Sequence, residues 1–469
     1  MKIKYTLCLL IAVIFVSCAK APRVIITQQS ETWMGIYIQN SKIGYSFSRI
    51  QKSENHYRLT NRMKINLSMM GQTEQVVSEF ISITDQNFVL QQFEFDFQSL
   101  NRQFRAVGEI KQNQLMIEVV TGGEKRKDKR EISEPVYPVM VLGTVALQKQ
   151  FKIGKKYTIK VFDPTALSIN EAEVRLTGKD KVLIRGTEYD LNKIEILLFG
   201  LTTTIWVDDN GITRKEMSVP GITSIEESRE EALAAEKIDE KLDILTLFSV
   251  PVDTVITEPR AVRYLKLEIS NIDTIGLMMR NDFQSIVQTD PLVIEIKSLE
   301  TINQVSLPIS GQAEYLKPSL YIQSDNAEII KKSRDITGAE KNATNASKKI
   351  TRWVFDNVAK RATASLPSAL DVLKNLEGDC NEHAILFTAL CRAAGIPTQI
   401  CVGLVYVDNR FYYHAWNKVY LDQWIAVDPT FNQFPADATH IKFAEGELEE
   451  QAKVLKIVGE IKIKVLEFN

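Results

Sequence analysis

The sequence predicts an α+β fold, in which antiparallel β structure precedes a core made of a helix packed on an antiparallel sheet. Three observations carry this prediction. Residues 32–224 alternate apolar and polar side chains between short turn sequences. Helical spacing of apolar residues replaces this alternation after Ser324. Residues 376–430 then place a cysteine at a predicted helix start, a histidine inside a predicted strand, and an aspartate at the end of the next strand.

Length and composition set broad limits on the protein. A chain of 469 residues can form two to four domains with a sizeable core. It is 45% hydrophobic and 25% charged, which is ordinary for a globular protein. A net charge of -2 gives no field that would attract nucleic acid, so no nucleic-acid partner is expected. The basic run KRKDKR at residues 125–130 is interpreted as a solvated hairpin tip.

The N-terminus has the pattern of an export signal. Two early lysines precede an apolar stretch at residues 5–16 that is too short to span a bilayer. The sequence that follows resembles a bacterial lipoprotein signal, which predicts a signal peptide at residues 1–17 and lipidation (palmitate) at Cys18. The resemblance implies a lipid-anchored protein of the bacterial cell envelope, on the outer membrane if the host is Gram-negative. Phe15 departs from the usual leucine-like residue, so a plain secretory signal stays open.

Composition shifts divide the remaining chain into four predicted parts. Residues 18–225 form an antiparallel β domain, whose one histidine, His56, is interpreted as a surface or packing residue and not a catalytic one. Residues 226–248 are rich in Ala, Glu, Lys and Leu and predict a connecting helix. Strand patterns return in a small β domain at residues 249–323, and residues 324–469 form the core.

The helix that carries the cysteine has clear start and stop signals. Asp379 is a good N-cap and Glu382 follows three residues later, which predicts a capping box. Cys380 therefore lies in the first turn, where the helix dipole favours a thiolate, although the charge of Asp379 opposes it. A positively charged partner is therefore needed to make the thiolate the dominant form of Cys380. The two later cysteines, Cys391 and Cys401, are interpreted as core residues.

A histidine is the expected partner of Cys380. His383 lies on the same helix but is predicted to point along its surface, so His414 in the following strand is preferred. Asp428 is the expected residue that orients His414. A two-residue turn between their strands would put His414 and Asp428 on opposite faces. We therefore predict a three-residue loop or a bulge between Tyr420 and Ile425.

Four sequence blocks follow one another in this region: GDCNEHA at residues 378–384, RAAGIP at 392–397, HAW at 414–416, and Trp424 with DPT at 428–430. Together they resemble the transglutaminase-like superfamily, a branch of the papain-like thiol enzymes. The resemblance covers residues 325–465 and implies that Cys380 is the nucleophile, His414 the acid and base, and Asp428 the orienting residue. The Cys380 backbone N–H is the first candidate oxyanion donor, and Trp353 and Trp416 are candidates for oxyanion or substrate contacts.

The resemblance implies attack on an amide or peptide carbonyl, with a thioester intermediate and no cofactor. Resolution by water would give a cysteine peptidase or amidase, acting on a protein or peptide substrate in the cell envelope, and this is the preferred reading. Resolution by an amine would give protein cross-linking, and a glycan-releasing amidase is a smaller option. A non-catalytic binding module also stays open. A metal site made of Cys380, His383 and His414 is disfavoured because no second close ligand pair follows, so no metal is expected.

Overall fold

The structure is a computed structural model that describes residues 29–100, 102–218, 221–234, 243–299, 301–457 and 459–469. The predicted signal peptide and Cys18 lie outside these residues. Within the described ranges, every helix is too short or too polar to cross a membrane. The predicted α+β class is confirmed in part, because helices accompany the C-terminal sheets while β strands dominate the chain.

The N-terminal part folds into one large sheet. Its 15 strands run in the order β8-β7-β6-β5-β4-β3-β2-β1-β15-β14-β13-β12-β11-β10-β9, and neighbours are antiparallel except for the parallel pair β9 and β10. A 3-10 helix, Val139–Val141, and helix α1, Leu142–Gln148, connect β9 to β10. The strands are β1 Gln29–Ile38, β2 Ser41–Lys52, β3 Tyr57–Met69, β4 Gln72–Thr84, β5 Leu90–Ser99, β6 Arg102–Lys111, β7 Gln114–Thr121, β8 Glu124–Glu131, β9 Val136–Pro138, β10 Lys156–Asp163, β11 Ser168–Ile184, β12 Thr187–Leu198, β13 Leu201–Val207, β14 Thr213–Ser218 and β15 Ile222–Glu227.

The basic run at residues 125–130 is part of a strand and not a hairpin tip. It forms most of β8, which lies at the edge of the large sheet. The hairpin turn comes just before it, at Gly122 and Gly123, where positive φ angles of 58° and 78° suit glycine. None of the side chains of β8 is fully buried. Charged side chains on a sheet edge discourage pairing with another chain, which is a physical role for this run.

The predicted connecting helix at residues 226–248 is shorter than expected. Its first two residues belong to β15, because Glu226 and Glu227 pair with Met34 and Trp33 of β1. Sheet pairing here overrides the helical propensity of the glutamates. Two short helices follow, α2 at Arg229–Leu233 and α3 at Ile244–Leu247, and residues 235–242 lie outside the described part of the chain.

The rest of the described chain builds two larger sheets, a parallel sheet of two very short strands, and a group of helices. One sheet has the order β18-β19-β17-β26, and the other has the order β16-β23-β22-β25 with β24 paired to β23. Short 3-10 helices occupy Pro259–Ala261, Ala313–Leu316 and Ala452–Ile457. The remaining elements are β16 Val250–Pro251, β17 Tyr264–Ser270, β18 Gln284–Thr289, β19 Leu292–Lys297, α4 Ala327–Thr337, α5 Ala343–Asn357, β20 Ala359–Lys360, α6 Ala369–Asn375, β21 Glu377–Gly378, α7 Cys380–Ala393, β22 Thr398–Val407, β23 Arg410–Tyr420, β24 Trp424–Val427, β25 His440–Glu445, α8 Leu448–Gln451 and β26 Lys462–Phe468.

The segment predicted as a small β domain shares its sheets with the C-terminal core. Strand β17 pairs with β26 at the end of the chain, and β16 pairs with β23. One hydrophobic cluster accordingly runs from Val250 through the C-terminal helices to Val465. The domain boundaries stay a prediction, and the boundary at residue 324 lies within this shared packing.

The helices of the core begin at capping residues. Helix α4 begins after Asn326, whose side chain accepts hydrogen bonds from the N–H groups of Glu328 and Ile329. Helix α7 packs against β22 and β23. Its interior residues from Glu382 to Arg392 are buried, including Cys391, and Cys401 in β22 is buried as well. The sheet and helix α7 together position the candidate site.

Candidate active site

Cys380 is the first residue of helix α7. The Asp379 carboxylate accepts a hydrogen bond from the Asn381 N–H at 2.8 Å, and the Glu382 carboxylate accepts one from the Asp379 N–H at 2.9 Å, so the predicted capping box is present. Gly378 precedes this box, where an added Cβ would overlap the Glu382 side chain. The cap fixes the start of the helix and leaves Cys380 partly exposed in its first turn.

The connection between β23 and β24 has the predicted odd length. Tyr420 pairs with Trp424 and Val419 with Ile425, so three residues form the loop. This register brings His414 and Asp428 to the same side, and His414 Nε2 lies 2.7 Å from Asp428 Oδ2. The expectation of a three-residue loop is confirmed.

Asp428 is held firmly on its other side. Its Oδ1 accepts hydrogen bonds from the backbone N–H groups of Thr430, at 2.7 Å, and Phe431, at 3.3 Å. The Phe431 ring stacks on the His414 ring with centroids 5.3 Å apart. Both His414 and Asp428 are buried. The aspartate therefore fixes the orientation of the imidazole and places the proton of the neutral ring on Nε2, which leaves Nδ1 as the basic nitrogen.

The strand that carries His414 is joined to the helix that carries Cys380. Asn417 donates hydrogen bonds to the Ala384 carbonyl at 3.0 Å and to Thr388 Oγ1 at 2.8 Å. The backbone N–H of Ala415, the residue after His414, acts to lower the pKa of the Cys380 thiol. The strand of His414 is therefore held against the start of the helix that carries Cys380.

The electrostatics of the thiol differ from what the helix position alone suggests. Burial raises the pKa of Cys380 well above its usual value, and the charges of Asp379, Glu382 and Asp428 add to this rise. The Ala415 N–H opposes it. Burial also lowers the pKa of His414, although Asp428 counteracts part of that effect. Both shifts favour an uncharged thiol beside an uncharged imidazole in the free protein.

Asp428 remains ionised in this buried place. Burial on its own would raise its pKa, but His414 and a second histidine, His440, hold the pKa well below the usual range. His440 Nε2 lies 3.0 Å from Asp428 Oδ2, the same oxygen that accepts from His414. His440 was not predicted as a site residue from the sequence. It is one of only four histidines, and its position in a strand close after Asp428 was the signal available.

The two tryptophans named as candidates occupy different places. The Trp416 ring is buried, and its centre lies 6.0 Å from the His414 ring and 5.1 Å from the His440 ring, so it packs against both imidazoles. Trp353 is half-buried, and the Lys332 ammonium lies 5.1 Å from its ring centre. Among the described contacts none joins Trp353 to Cys380, His414 or Asp428. His383 is buried with Nδ1 2.6 Å from the Asp379 carbonyl oxygen.

The residues of the disfavoured metal site are not gathered together. In the part of the chain that the structure describes, the group of possible metal ligands is His414, Asp428 and His440, whose ligand atoms lie within 4.8 Å of one another. Both histidine nitrogens approach one carboxylate oxygen at 2.7 and 3.0 Å, which are hydrogen-bond distances. Hydrogen bonds therefore account for the spacing of this cluster.

A residue of the N-terminal sheet contacts the helix of Cys380. Arg102, at the start of β6, is buried, and its Nη1 lies 2.5 Å from Glu382 Oε1. Its Nε lies 3.0 Å from Asp371 Oδ2, and its Nη2 donates to the Glu377 carbonyl. Arg102 thus balances acidic groups that surround the start of α7. No sequence signal joins residues that are 280 positions apart.

The site thus combines a thiol at a helix start with a buried histidine–aspartate pair at the sheet on which that helix packs. Residues 330–429 match the model of the transglutaminase-like superfamily, and this stretch includes Cys380, His414 and Asp428. The chain therefore contains a transglutaminase-like domain, as its sequence predicted.

Other similarities cover parts of the chain. Kyphoscoliosis peptidase of Mus musculus is 34% identical across 16% of this chain and 12% of its own length, so this chain spans about an eighth of that relative. A proposed cysteine protease from Cytophaga hutchinsonii has 22% identity and a TM-score of 0.31, and the match covers 44% of this chain and 86% of that protein. A beta-barrel-like protein of a domain of unknown function from Brucella abortus has 12% identity and a TM-score of 0.36, across 44% of this chain and 97% of that protein. At such TM-scores the two solved structures carry no argument about function.

Proposed function

We propose that this protein is a transglutaminase-like thiol enzyme that attacks an amide or peptide carbonyl through Cys380, His414 and Asp428. One observation carries the proposal. His414 lies 2.7 Å from Asp428 and belongs to β23, the strand that Asn417 joins by two hydrogen bonds to α7, the helix that begins with Cys380. A nucleophile, a base and a residue that orients the base are the three parts that covalent acyl transfer needs.

The proposed mechanism begins from the uncharged pair. His414 Nδ1 takes the thiol proton while the sulfur attacks the carbonyl carbon, and Asp428 stabilises the imidazolium that forms. The Cys380 backbone N–H, at the positive end of α7, is the proposed donor to the oxyanion. The C–N bond then breaks, His414 gives its proton to the leaving amine, and a thioester remains. Water, deprotonated by His414, attacks the thioester and releases the acid and the free thiol.

Hydrolysis is the preferred outcome. The mouse relative is named a peptidase, and water needs no second binding site on the enzyme. An amine acceptor would instead give cross-linked protein. A binding module without activity would use the same core but would not turn over an amide.

Replacing Cys380 by alanine separates these outcomes. Cells that produce the wild-type protein should contain peptide termini that are missing from cells with Cys380→Ala, because the variant lacks the nucleophile. Mass spectrometry of the cell-envelope proteins measures termini and isopeptide cross-links together. Cys401→Ala, which removes a buried sulfur of β22 that takes no part in the proposed chemistry, is the matched control and should keep the wild-type pattern. New cross-links in place of termini would favour amine transfer. If wild type and Cys380→Ala differ in neither termini nor cross-links, the enzyme proposal is contradicted.

We also propose that the protein is anchored in the bacterial cell envelope through lipid on Cys18. The support is the signal-like sequence at residues 1–17 and the cysteine that follows it. Several acyl chains on one residue would hold a protein firmly on a membrane. Cells fed an alkyne analogue of palmitate should label the wild-type protein and leave Cys18→Ala unlabelled. Label retained by Cys18→Ala would contradict the proposal, and Cys391→Ala serves as the matched cysteine control.

A further inference from the structure

His440 lies outside the stretch that matches the superfamily, yet it contacts the proposed site directly. It is the first residue of β25, a neighbour of β22 on the side away from β23. Its side chain is buried, and its Nε2 lies 3.0 Å from Asp428 Oδ2. One carboxylate oxygen therefore serves two imidazoles, His414 at 2.7 Å and His440 at 3.0 Å.

The other nitrogen of His440 also faces oxygen acceptors. Its Nδ1 lies 3.1 Å from the Asp437 carbonyl oxygen and 3.3 Å from Asp437 Oδ1. A neutral imidazole has one donor and one acceptor, so it could satisfy only one of these two sides. A ring whose two nitrogens both face acceptors is satisfied when both carry protons. The geometry thus indicates that His440 is an imidazolium ion.

The charges around His440 balance when it is protonated. Asp428 and Asp437 each carry a negative charge, and Arg260 Nη1 lies 3.0 Å from Asp437 Oδ2. With His440 and Arg260 positive and His414 neutral, the buried group has no net charge. Burial lowers the pKa of His440, but Asp437 and Asp428 outweigh burial and raise the pKa to about 9. Burial tends to raise the pKa of Asp437, while His440 and Arg260 lower it to about 2.

We propose that His440 is a positioning residue, an imidazolium ion at neutral pH that holds Asp428 against His414 and sets the pH range in which His414 accepts the thiol proton. The inference rests on the proposed function of Cys380 and His414. The positive charge of His440 partly neutralises the negative charge of Asp428. Asp428 therefore raises the pKa of His414 less than it would alone. Without His440, the full charge of Asp428 would act on His414 and on the Cys380 thiol.

The groups that face His440 are few and come from several elements. Asp428 follows β24, Asp437 precedes β25, His414 stands on β23, and Arg260 lies in the 3-10 helix Pro259–Ala261. A small cavity of about 20 Å³ beside His440 is also lined by Trp416, Asp437 and two lysines, Lys297 and Lys442. The Lys442 ammonium is paired with Glu445.

His440→Gln is the variant that tests the proposal. Glutamine can still donate a hydrogen bond to Asp428 but carries no charge. Loss of a positive charge raises the pKa values of both His414 and Cys380, so both limbs of the pH profile of kcat/KM should move to higher pH by about one unit. The alkylation rate of Cys380 by iodoacetamide should show the same shift without any substrate. His56→Gln, at an exposed histidine, is the matched control and should leave both profiles in place.

Three outcomes decide the matter. Lower activity with an unshifted profile would show that His440 only supports the fold and would overturn the proposal. If the protein cleaves no amide but the pH profile of Cys380 alkylation still shifts, the proposed function is refuted. The role of His440 in setting the acidity of Cys380 and His414 would then stand. If His440→Gln does not fold, ¹⁵N NMR of histidine in the wild-type protein gives the answer. Both ring nitrogens of His440 should stay protonated up to about pH 8, and a midpoint below about pH 7 would overturn the proposal.

Discussion

Replacing His414 by asparagine is expected to reduce kcat/KM on amide substrates by a factor on the order of 10⁴, the upper end of general acid–base effects. The imidazole would serve in both half-reactions, first as base for the Cys380 thiol and then as acid for the leaving amine. The structure makes this dependence strong. Because burial and nearby carboxylates raise the pKa of Cys380, very little thiolate exists without a base. Steady-state kinetics on a chromogenic amide measures the effect.

The fold should survive this substitution. Asp428 keeps its hydrogen bonds from Thr430, Phe431 and His440 when the His414 ring is removed. His56→Asn makes the same change at an exposed histidine and should retain wild-type kinetics and thermal unfolding. If His414→Asn kept more than about a tenth of the activity, general acid–base catalysis by His414 would be contradicted. His383, the buried histidine of α7, would then be the candidate base.

The parts of the site that lie close in sequence were predictable because local rules determine them. The capping box at Asp379 and Glu382 follows from residue types at fixed spacing on a helix. The three-residue loop before Trp424 follows from the two-residue period of a strand, since any even loop would separate His414 from Asp428.

The parts that escaped prediction depend on distant contacts. The acidity of Cys380 depends on burial and on carboxylates that only the folded chain brings near, so the helix dipole gave an incomplete account. The start of the predicted connecting helix became strand because β1, nearly 200 residues earlier, pairs with it. His440 joins the site from the far side of β22, and its partner Asp437 precedes it in a loop with no motif.

Replacing Arg102 by alanine is expected to lower the free energy of unfolding by about 3–5 kcal/mol, the cost of breaking a buried ion pair from one side. The carboxylates of Glu382 and Asp371 lie 2.5 and 3.0 Å from the guanidinium, and both would lose this positively charged partner. Arg105→Ala, three residues along the same strand, is the matched control. Its side chain is 54% exposed beside Glu94, so the cost there should stay within about 1 kcal/mol. Urea denaturation followed by tryptophan fluorescence measures both variants.

The same substitution tests whether the N-terminal sheet contributes to the site. Loss of Arg102 leaves the negative charge of Glu382 unbalanced beside Cys380, and Glu382 already acts to raise the pKa of that thiol. Alkylation of Cys380 at neutral pH should therefore slow in Arg102→Ala under conditions where the protein is still folded. Arg102→Lys keeps the charge but loses the fork that reaches two carboxylates, so it should restore the alkylation rate more fully than the stability. Equal alkylation rates of Cys380 in Arg102→Ala and Arg105→Ala would mean that the sheet supports α7 without influencing its thiol.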